Sequence, residues 1–330
     1  MILALAALLL GDAAVAQRQR NPPRFVTDDP ACVATTLVST GGAAPRSSGT
    51  LAIRWTGFSN FELAYKGSVL LLDAYFDRGA LFPSLGFTAA DVKRANGILI
   101  GHGHSDHMSD AATVALRTGA AVVGAANVAA KLASQSVPAA QIRTVHGDGG
   151  ETMRFGAFTV EPILGRHTDA PINVMTAFQG ALDAVMPKRS PQEVAEQAAI
   201  RAKGVSSPTP AAIDGTMTYL ITLDSGFRIL YRDSAGEVTD QERRVMALVG
   251  DVDVALLAIS PVYVTELVAA RALQYVRLFR PLVFMPAHHD AARDSLWRPT
   301  EPVFQVLKDD NPRLVTVSKG YREPVCLRVG

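Results

Sequence analysis

Four residues with metal-binding side chains fall within six positions, His102, His104, Asp106 and His107, directly after the apolar run Gly97 to Ile100. A short apolar run that ends in a Gly/His/Ser/Asp loop and is followed by Asp110 to Arg117, of helical composition, reads as strand, loop, helix. Such a unit gathers loop side chains at the C-terminal edge of a sheet. A solvated His-rich turn is the bland alternative, and the density of ligand-type residues behind a buried strand argues against it.

The remaining histidines sharpen the point. Six of the seven histidines lie where a strand ends: the first three after Gly97 to Ile100, His167 after the run ending at Leu164, and His288 with His289 after Leu282 to Phe284. Asp233 follows the run Phe227 to Tyr231. Taken singly, His167 reads equally well as a surface residue, Asp233 as a turn cap, and His288-His289 as one ligand beside one bystander. His146, in His-Gly-Asp-Gly-Gly, reads as a loop residue. Their recurrence at strand ends is what points to a shared site, and imidazole with carboxylate suits zinc and related divalent ions.

Around this cluster the chain alternates between short β-prone runs and helical segments. Leu51 to Trp55, Phe61 to Tyr65 and Ser68 to Asp73, separated by Gly57 and Lys66-Gly67, read as an antiparallel meander. Further strands are expected at Ala121 to Val123, Gln141 to Val145, Thr152 to Phe155, Phe158 to Leu164, Thr216 to Leu223, Phe227 to Tyr231, Val254 to Ala258 and Leu282 to Phe284. Helices are expected near Val128 to Ala133, Asp240 to Leu248 and Val264 to Phe279. This mixture implies an α/β (α+β) fold of sheets covered by helices. Residues 171–215 interrupt the alternation. Within them Ser190-Pro191-Gln192-Glu193 forms a capping box that starts a helix running to about Lys203, with Gly204 as its C-cap. The Ala-rich face of that helix suits a cap or lid better than a core.

The N-terminal end reads separately. Ile2 to Leu10 is apolar, and Ala14-Val15-Ala16 offers a small-x-small cleavage site, so residues 1–16 are expected to be a signal peptide leading to an exported, periplasmic or secreted product. A buried N-terminal helix is the alternative, since no Lys or Arg precedes the apolar stretch. Residues 17–50, rich in Pro, Gly, Ser and Thr, are expected as an extended leader over the surface of a single domain, 51–330. Cys32 and Cys326 are the only cysteines; one disulfide clamping the termini and two free thiols are both compatible with their positions. Thirty-two basic against 31 acidic residues leave a net charge of +1, too little to attract nucleic acid, and no run is long enough to span a bilayer. A small-molecule substrate is the partner expected.

His102-Gly103-His104-Ser105-Asp106-His107 resembles the His-x-His-x-Asp-His signature of the metallo-β-lactamase superfamily, and the later single His, Asp and His follow in the same order. The likeness covers about residues 51–321 and implies a four-layer αββα sandwich. Trp55 to Asp77 is most similar to the branch containing ascorbate-phosphate lactonase and N-acyl-phosphatidylethanolamine phospholipase D, although Phe58 stands where that branch often has His. Carried over residue by residue, the resemblance implies that His102, His104 and His167 hold one metal, that Asp106, His107 and His288 hold a second, and that Asp233 bridges. His288 is chosen over His289 because Pro286-Ala287-His288 reproduces a Pro-x-His spacing. Asp73 is placed to orient a ligand imidazole, and His289 is a further candidate for such a supporting role. Arg232 departs from a frequent Gly, and could contact an anion or point into solvent.

The resemblance further implies two Zn(2+) ions, or Mn or Fe in the same place, a hydroxide held between them, and hydrolysis of a phosphodiester or lactone, with Asp106 as the catalytic proton carrier. A β-lactam hydrolase is the alternative; lactamases of this fold usually lack an Asp such as Asp233. A non-hydrolytic metal-binding or redox module is the alternative from another class, and it is disfavoured by His104 at a position where such modules carry Glu.

Overall fold

The structure, a computed structural model, describes residues 20, 23–168, 188–206, 215–259, 265–290 and 300–329. The expected signal peptide at 1–16 lies outside them, as does most of the 171–215 insertion.

Two sheets form the centre. The first runs β1 (Arg24–Phe25), then β2 (Thr50–Trp55), β3 (Phe61–Tyr65), β4 (Ser68–Leu72), β5 (Gly97–Leu99), β6 (Ala121–Gly124) and β7 (Ile142–Thr144). The meander β2-β3-β4 pairs antiparallel as its turns require, and β4 to β7 continue in parallel. The second sheet holds β8 (Met153–Phe155), β9 (Phe158–Leu164), β10 (Met217–Leu223), β11 (Arg228–Arg232), β12 (Val254–Ala258), β13 (Val283–Ala287) and β14 (Val315–Thr316), antiparallel up to β11 and parallel beyond it. A last strand, β15 (Pro324–Arg328), returns to the first sheet between β1 and β2.

Side-chain alternation along each strand sorts the core into layers. Leu99 of β5 faces the other sheet, in a cluster with Tyr219, Tyr231 and Leu256, whereas Ile98 and Ile100 face the outer helices. On that outer side lie α1 (Ser105–Met108), α2 (Ala111–Thr118) and α3 (Ala126–Ser134); Met108, Val114 and Val128 pack in the same cluster as Ile98. Beyond α4 (Pro191–Ala202), the helices α5 (Asp240–Val249), α6 (Thr265–Phe279) and α7 (Glu301–Asp310) cover the outer face of the second sheet, where Val245, Tyr275 and Leu307 pack against Leu230 and Phe284. The result is the four-layer αββα sandwich. Strands covered on both faces carry no polar alternation, which is why β2, β3 and β4 are buried at every position.

Two expectations are revised. The helix α4 has the capping box, with Glu193 N–H donating to Ser190 Oγ at 3.2 Å, yet its C-cap is Lys203 rather than Gly204. Gly204 is required for a different reason, because a Cβ there would lie 2.5 Å from the Ser105 nitrogen, so the helix end sits directly on the His102–His107 loop. The stretch expected as a surface leader is partly built into the fold. The buried carboxylate of Glu62 accepts the N–H groups of Val38 at 2.9 Å and Ser39 at 2.7 Å, and it pairs with the equally buried Arg54 at 3.3 Å. Leu37 and Val38 are buried as a consequence.

Cys32 and Cys326 form a disulfide, which decides between the two possibilities left open by their positions. It ties the leader to β15 across a sequence separation of 294 residues. No helix among the described residues is long and apolar enough to cross a membrane. A covalent loop of this size constrains the unfolded chain, so Cys32→Ser is expected to lower the unfolding free energy by about 2–4 kcal/mol. Thermal melts with and without reductant check this: reductant should lower the melting temperature of the unmodified chain and leave that of Cys32→Ser unchanged.

Candidate metal centre

Every candidate residue sits where a strand leaves its sheet. Asp73 follows β4, the His102–His107 loop follows β5, His167 follows β9, Asp233 follows β11 and His288 follows β13. Both sheets therefore contribute to one edge. Met217 N–H donates to Gly101 O at 2.6 Å and Tyr219 Oη–H to Ile100 O at 2.8 Å, which holds the ligand loop of the first sheet against β10 of the second. Gly101 permits this approach, since a Cβ there would lie 2.1 Å from the Asp233 carboxylate.

Three sets of side chains have ligand atoms within 4.8 Å of one another: His102 with His104 and His167, His102 with His107 and Asp233, and Asp106 with His107 and His288. His102 and His107 each belong to two sets, so the sets form one continuous cluster. Asp233 Oδ2 lies 2.6 Å from His102 Nδ1 and 3.3 Å from His107 Nδ1. Asp106 Oδ2 lies 3.7 Å from His107 Nε2 and 3.4 Å from His288 Nε2. All seven residues inferred from the sequence converge.

Consecutive His288 and His289 go different ways. His288 takes a left-handed backbone at φ 59° and donates its N–H to Phe58 O at 2.7 Å. Its ring then lies 5.4 Å from that of His107, while His289 turns away to stack on Trp55 at 4.3 Å. His289 belongs to none of the three sets and packs, buried, against Trp55. Phe58, also left-handed at φ 48°, presents its ring edge-on to His288 at 5.0 Å.

Asp73 lies against His107, at the end of β4. Its Oδ2 lies 2.6 Å from His107 Nδ1, and its Oδ1 accepts the Gly101 N–H at 2.9 Å, so one carboxylate orients a candidate ligand and the loop that carries others. Ser59 was not foreseen. Its hydroxyl lies 2.6 Å from Asp73 Oδ2 and 2.8 Å from His107 Nδ1. Asp290 is a second unforeseen residue, accepting the Phe58 N–H at 2.8 Å and pairing with Arg78 at 3.0 Å, which steadies the loop under His288. Neither carries a local sequence signal; a Ser in a turn and an Asp after two histidines gain meaning only through strand pairing.

Burial and neighbouring charge set the protonation of the cluster. Burial, helped by the other imidazoles, holds His102 well below its ordinary value, lowers His104 and pushes His167 down to about 2. Neutral imidazole is the form that binds a metal. Burial opposes charge on His107 as well, but Asp106, Asp73 and Asp233 outweigh it and raise that ring to about 10. Burial likewise disfavours charge on Asp106, yet His107 and His288 keep its carboxyl well below the usual range. Burial pushes Asp73 and Asp233 up.

The residues fit a metal. Among the described residues His167 Nδ1, Asp233 Oδ1 and His288 Nδ1 are buried without a hydrogen-bond partner. Such atoms cost about 1–3 kcal/mol each when left unsatisfied. Divalent cations would give orphaned atoms that face the cluster a partner, and a donor set of imidazole and carboxylate without thiolate suits zinc, manganese or iron.

A family model described as the β-lactamase superfamily domain matches residues 69–289. The chain belongs to the β-lactamase superfamily. The matched stretch holds every candidate ligand and leaves out the leader and β15. A UPF0173 metal-dependent hydrolase of Rhizobium etli is 33% identical over 126 residues, covering 37% of this chain and 50% of the relative. Another, from Pyrobaculum neutrophilum, is 35% identical over 106 residues, covering 32% of this chain and 45% of the relative. The chain thus spans about half the length of the curated relatives it matches. Among solved structures, Igni18 of Ignicoccus hospitalis, described as a metallo hydrolase, superposes with a TM-score of 0.57 at 16% identity, covering 84% of this chain and 98% of that one. CmlA, a diiron β-hydroxylase of Streptomyces venezuelae, superposes with a TM-score of 0.51 at 14% identity, covering 86% and 55%. These two likenesses concern the fold alone.

Two outcomes test the geometry of this superfamily site. Gly101→Ala forces a methyl group into the Asp233 carboxylate and is expected to abolish retention of an added divalent metal, as read by elemental analysis after gel filtration; retention equal to that of the unmodified chain would mean that the loop shifts freely. Asp73→Asn should leave the fold intact and weaken binding of the same divalent metal about 10–100-fold in equilibrium dialysis.

Proposed function

We propose that the protein is a dinuclear-metal hydrolase of an ester-type bond, a phosphodiester or a lactone, acting on a small-molecule substrate. One observation carries the reading: Asp233 lies within 2.6 Å of His102 and 3.3 Å of His107, between the His102/His104/His167 set and the Asp106/His107/His288 set. A carboxylate so placed suits two ions better than one. His102, His104 and His167 would hold the first, Asp106, His107 and His288 the second, with Asp233 shared; zinc is the metal that these donors suit best. When bound, such ions supply Lewis acidity toward a carbonyl or phosphoryl oxygen and acidify water toward neutral pH.

The chain's own groups supply the rest. Asp106 is the proton carrier: its side chain remains 33% exposed while Oδ2 faces His107 and His288, which leaves Oδ1 to take a proton from the attacking water and pass it to the leaving group. Ser59 and Asp73 keep the His107 ring in one orientation. Phe58, Tyr75 and Ile200 pack together with Phe82 beside His288, an apolar wall that α4 completes and that keeps water from one side of the site. The ester class rests on the similarity of Trp55 to Asp77 to the lactonase and phospholipase D branch. Export rests on the apolar start of the chain and on the Cys32–Cys326 bridge, a bond that persists in oxidising compartments.

The test is a rate panel on metal-loaded protein comparing a chromogenic phosphodiester, a lactone and a cephalosporin. Turnover of one of the first two is expected, lost with a chelator and restored by zinc, and Asp106→Asn should lower kcat by at least about 10²-fold. Turnover that persists in metal-free protein, or of the cephalosporin alone, overturns the reading.

A further inference from the structure

Arg232 ends β11 immediately before Asp233, at a position where the superfamily resemblance leads one to expect glycine. It neither meets solvent nor faces the ligand cluster. Consecutive residues at a strand end point to opposite faces, and Arg232 is fully buried toward the helical layer, its guanidinium 4.6 Å from the centre of the Tyr275 ring.

A guanidinium has five N–H donors in a rigid plane, and here they reach five acceptors. Nε donates to Glu242 Oε1 at 2.8 Å. Nη1 donates to Tyr275 Oη at 2.7 Å and to the Ser234 carbonyl. Nη2 donates to the Glu237 carbonyl at 2.9 Å and the Arg166 carbonyl at 3.4 Å. The three carbonyls belong to two loops, one leaving Asp233 and one carrying His167. These loops are zipped to each other as well: Thr168 N–H donates to Ser234 Oγ at 2.8 Å, Ala235 N–H to Thr168 Oγ1 at 3.0 Å, and a Cβ on Gly236 would lie 2.2 Å from His167 O.

The far side of the network is equally tied down. Glu242 accepts from Thr218 Oγ1 at 2.7 Å and from the Thr239 N–H at 2.7 Å, as the capping-box acid of α5. Thr239 Oγ1 in turn donates to Leu164 O at 2.7 Å, at the end of the strand that leads to His167. Tyr275, from α6, donates to the Gly236 carbonyl.

We propose that Arg232, with Glu242 and Tyr275, forms a positioning network that sets where Asp233 and His167 stand relative to each other, and thereby the strength with which the cluster binds metal. This rests on the metal-site reading above. The network touches neither metal nor substrate and acts through two loop backbones. Lysine cannot replace it, because a single ammonium offers three donors from one point and cannot span acceptors on both loops.

Cobalt(II) alone is the probe, with affinity from equilibrium dialysis and geometry from the visible absorption spectrum, on the full chain stripped of metal. Arg232→Lys is expected to bind cobalt at least about tenfold more weakly with an altered spectrum, and Tyr275→Phe to shift both in the same direction by less. Arg54→Lys is the control: Arg54 is as deeply buried and paired with Glu62, but it serves the leader, so this variant should lose thermal stability while keeping the unmodified affinity and spectrum. A folded Arg232→Lys with unaltered affinity and spectrum overturns the proposal. So does an Arg54→Lys that loses affinity to the same extent, since the effect would then be general destabilisation. If Arg232→Lys does not fold, Tyr275→Phe decides by the same two readouts. An unmodified chain that binds no cobalt overturns the metal-site reading along with this one, which keeps the two failures distinct.

Discussion

His102 and Asp233 come from different sheets and meet at 2.6 Å with almost no solvent between the strand ends that carry them. A buried carboxylate must be paired or neutralised, and a buried imidazole must be hydrogen-bonded, so this contact commits the two sheets to one relative placement. Much of the molecule serves that commitment. The aligned core between the sheets brings β5 and β11 to the same edge, Gly101 removes the Cβ that would hold them apart, and the hydroxyl of Tyr219 and the N–H of Met217 bind the ligand loop from the other side.

The cluster illustrates how a fold carries like and unlike charge in one place. Three imidazoles driven neutral by burial lie beside His107, where three carboxylates favour a positive charge that a bound cation would supply in place of the ring proton. Such an arrangement is poor packing and good metal-binding chemistry. Its cost is spread over groups that never reach the cluster's centre: Asp73 and Ser59 beneath His107, Asp290 beneath Phe58 and His288, Arg232 behind Asp233. Each is buried and each bonds to backbone or to a candidate ligand, so the candidate ligands are held by a shell rather than by their own loops.

Departures from the family pattern are informative for the same reason. Phe58 fills space against His288 and joins Tyr75 and Ile200 in an apolar wall beside the site. Arg232, in place of a frequent Gly, adds a cation on the side away from the ligands and is balanced there by Glu242. The leader lies outside the stretch that the family model matches, and Glu62 and the disulfide make residues 29 to 39 part of the sheet's cover.

What the sequence determined by itself was local or periodic: the His-x-His-x-Asp-His cluster after an apolar strand, the capping box of α4, the meander between Gly turns, and most helix and strand positions. These follow from short-range propensity and from the chemistry of side chains within a few residues of one another. The Pro-x-His spacing favoured His288 over His289, but only the tertiary structure shows what turns the two rings apart, one left-handed backbone angle at His288. The tertiary structure alone decided that Cys32 meets Cys326, that Ser59 and Asp290 support the ligands, and that Arg232 turns inward. Each of these depends on strand register and layer packing between residues far apart in the chain, where no local pattern can distinguish a buried partner from a solvated one.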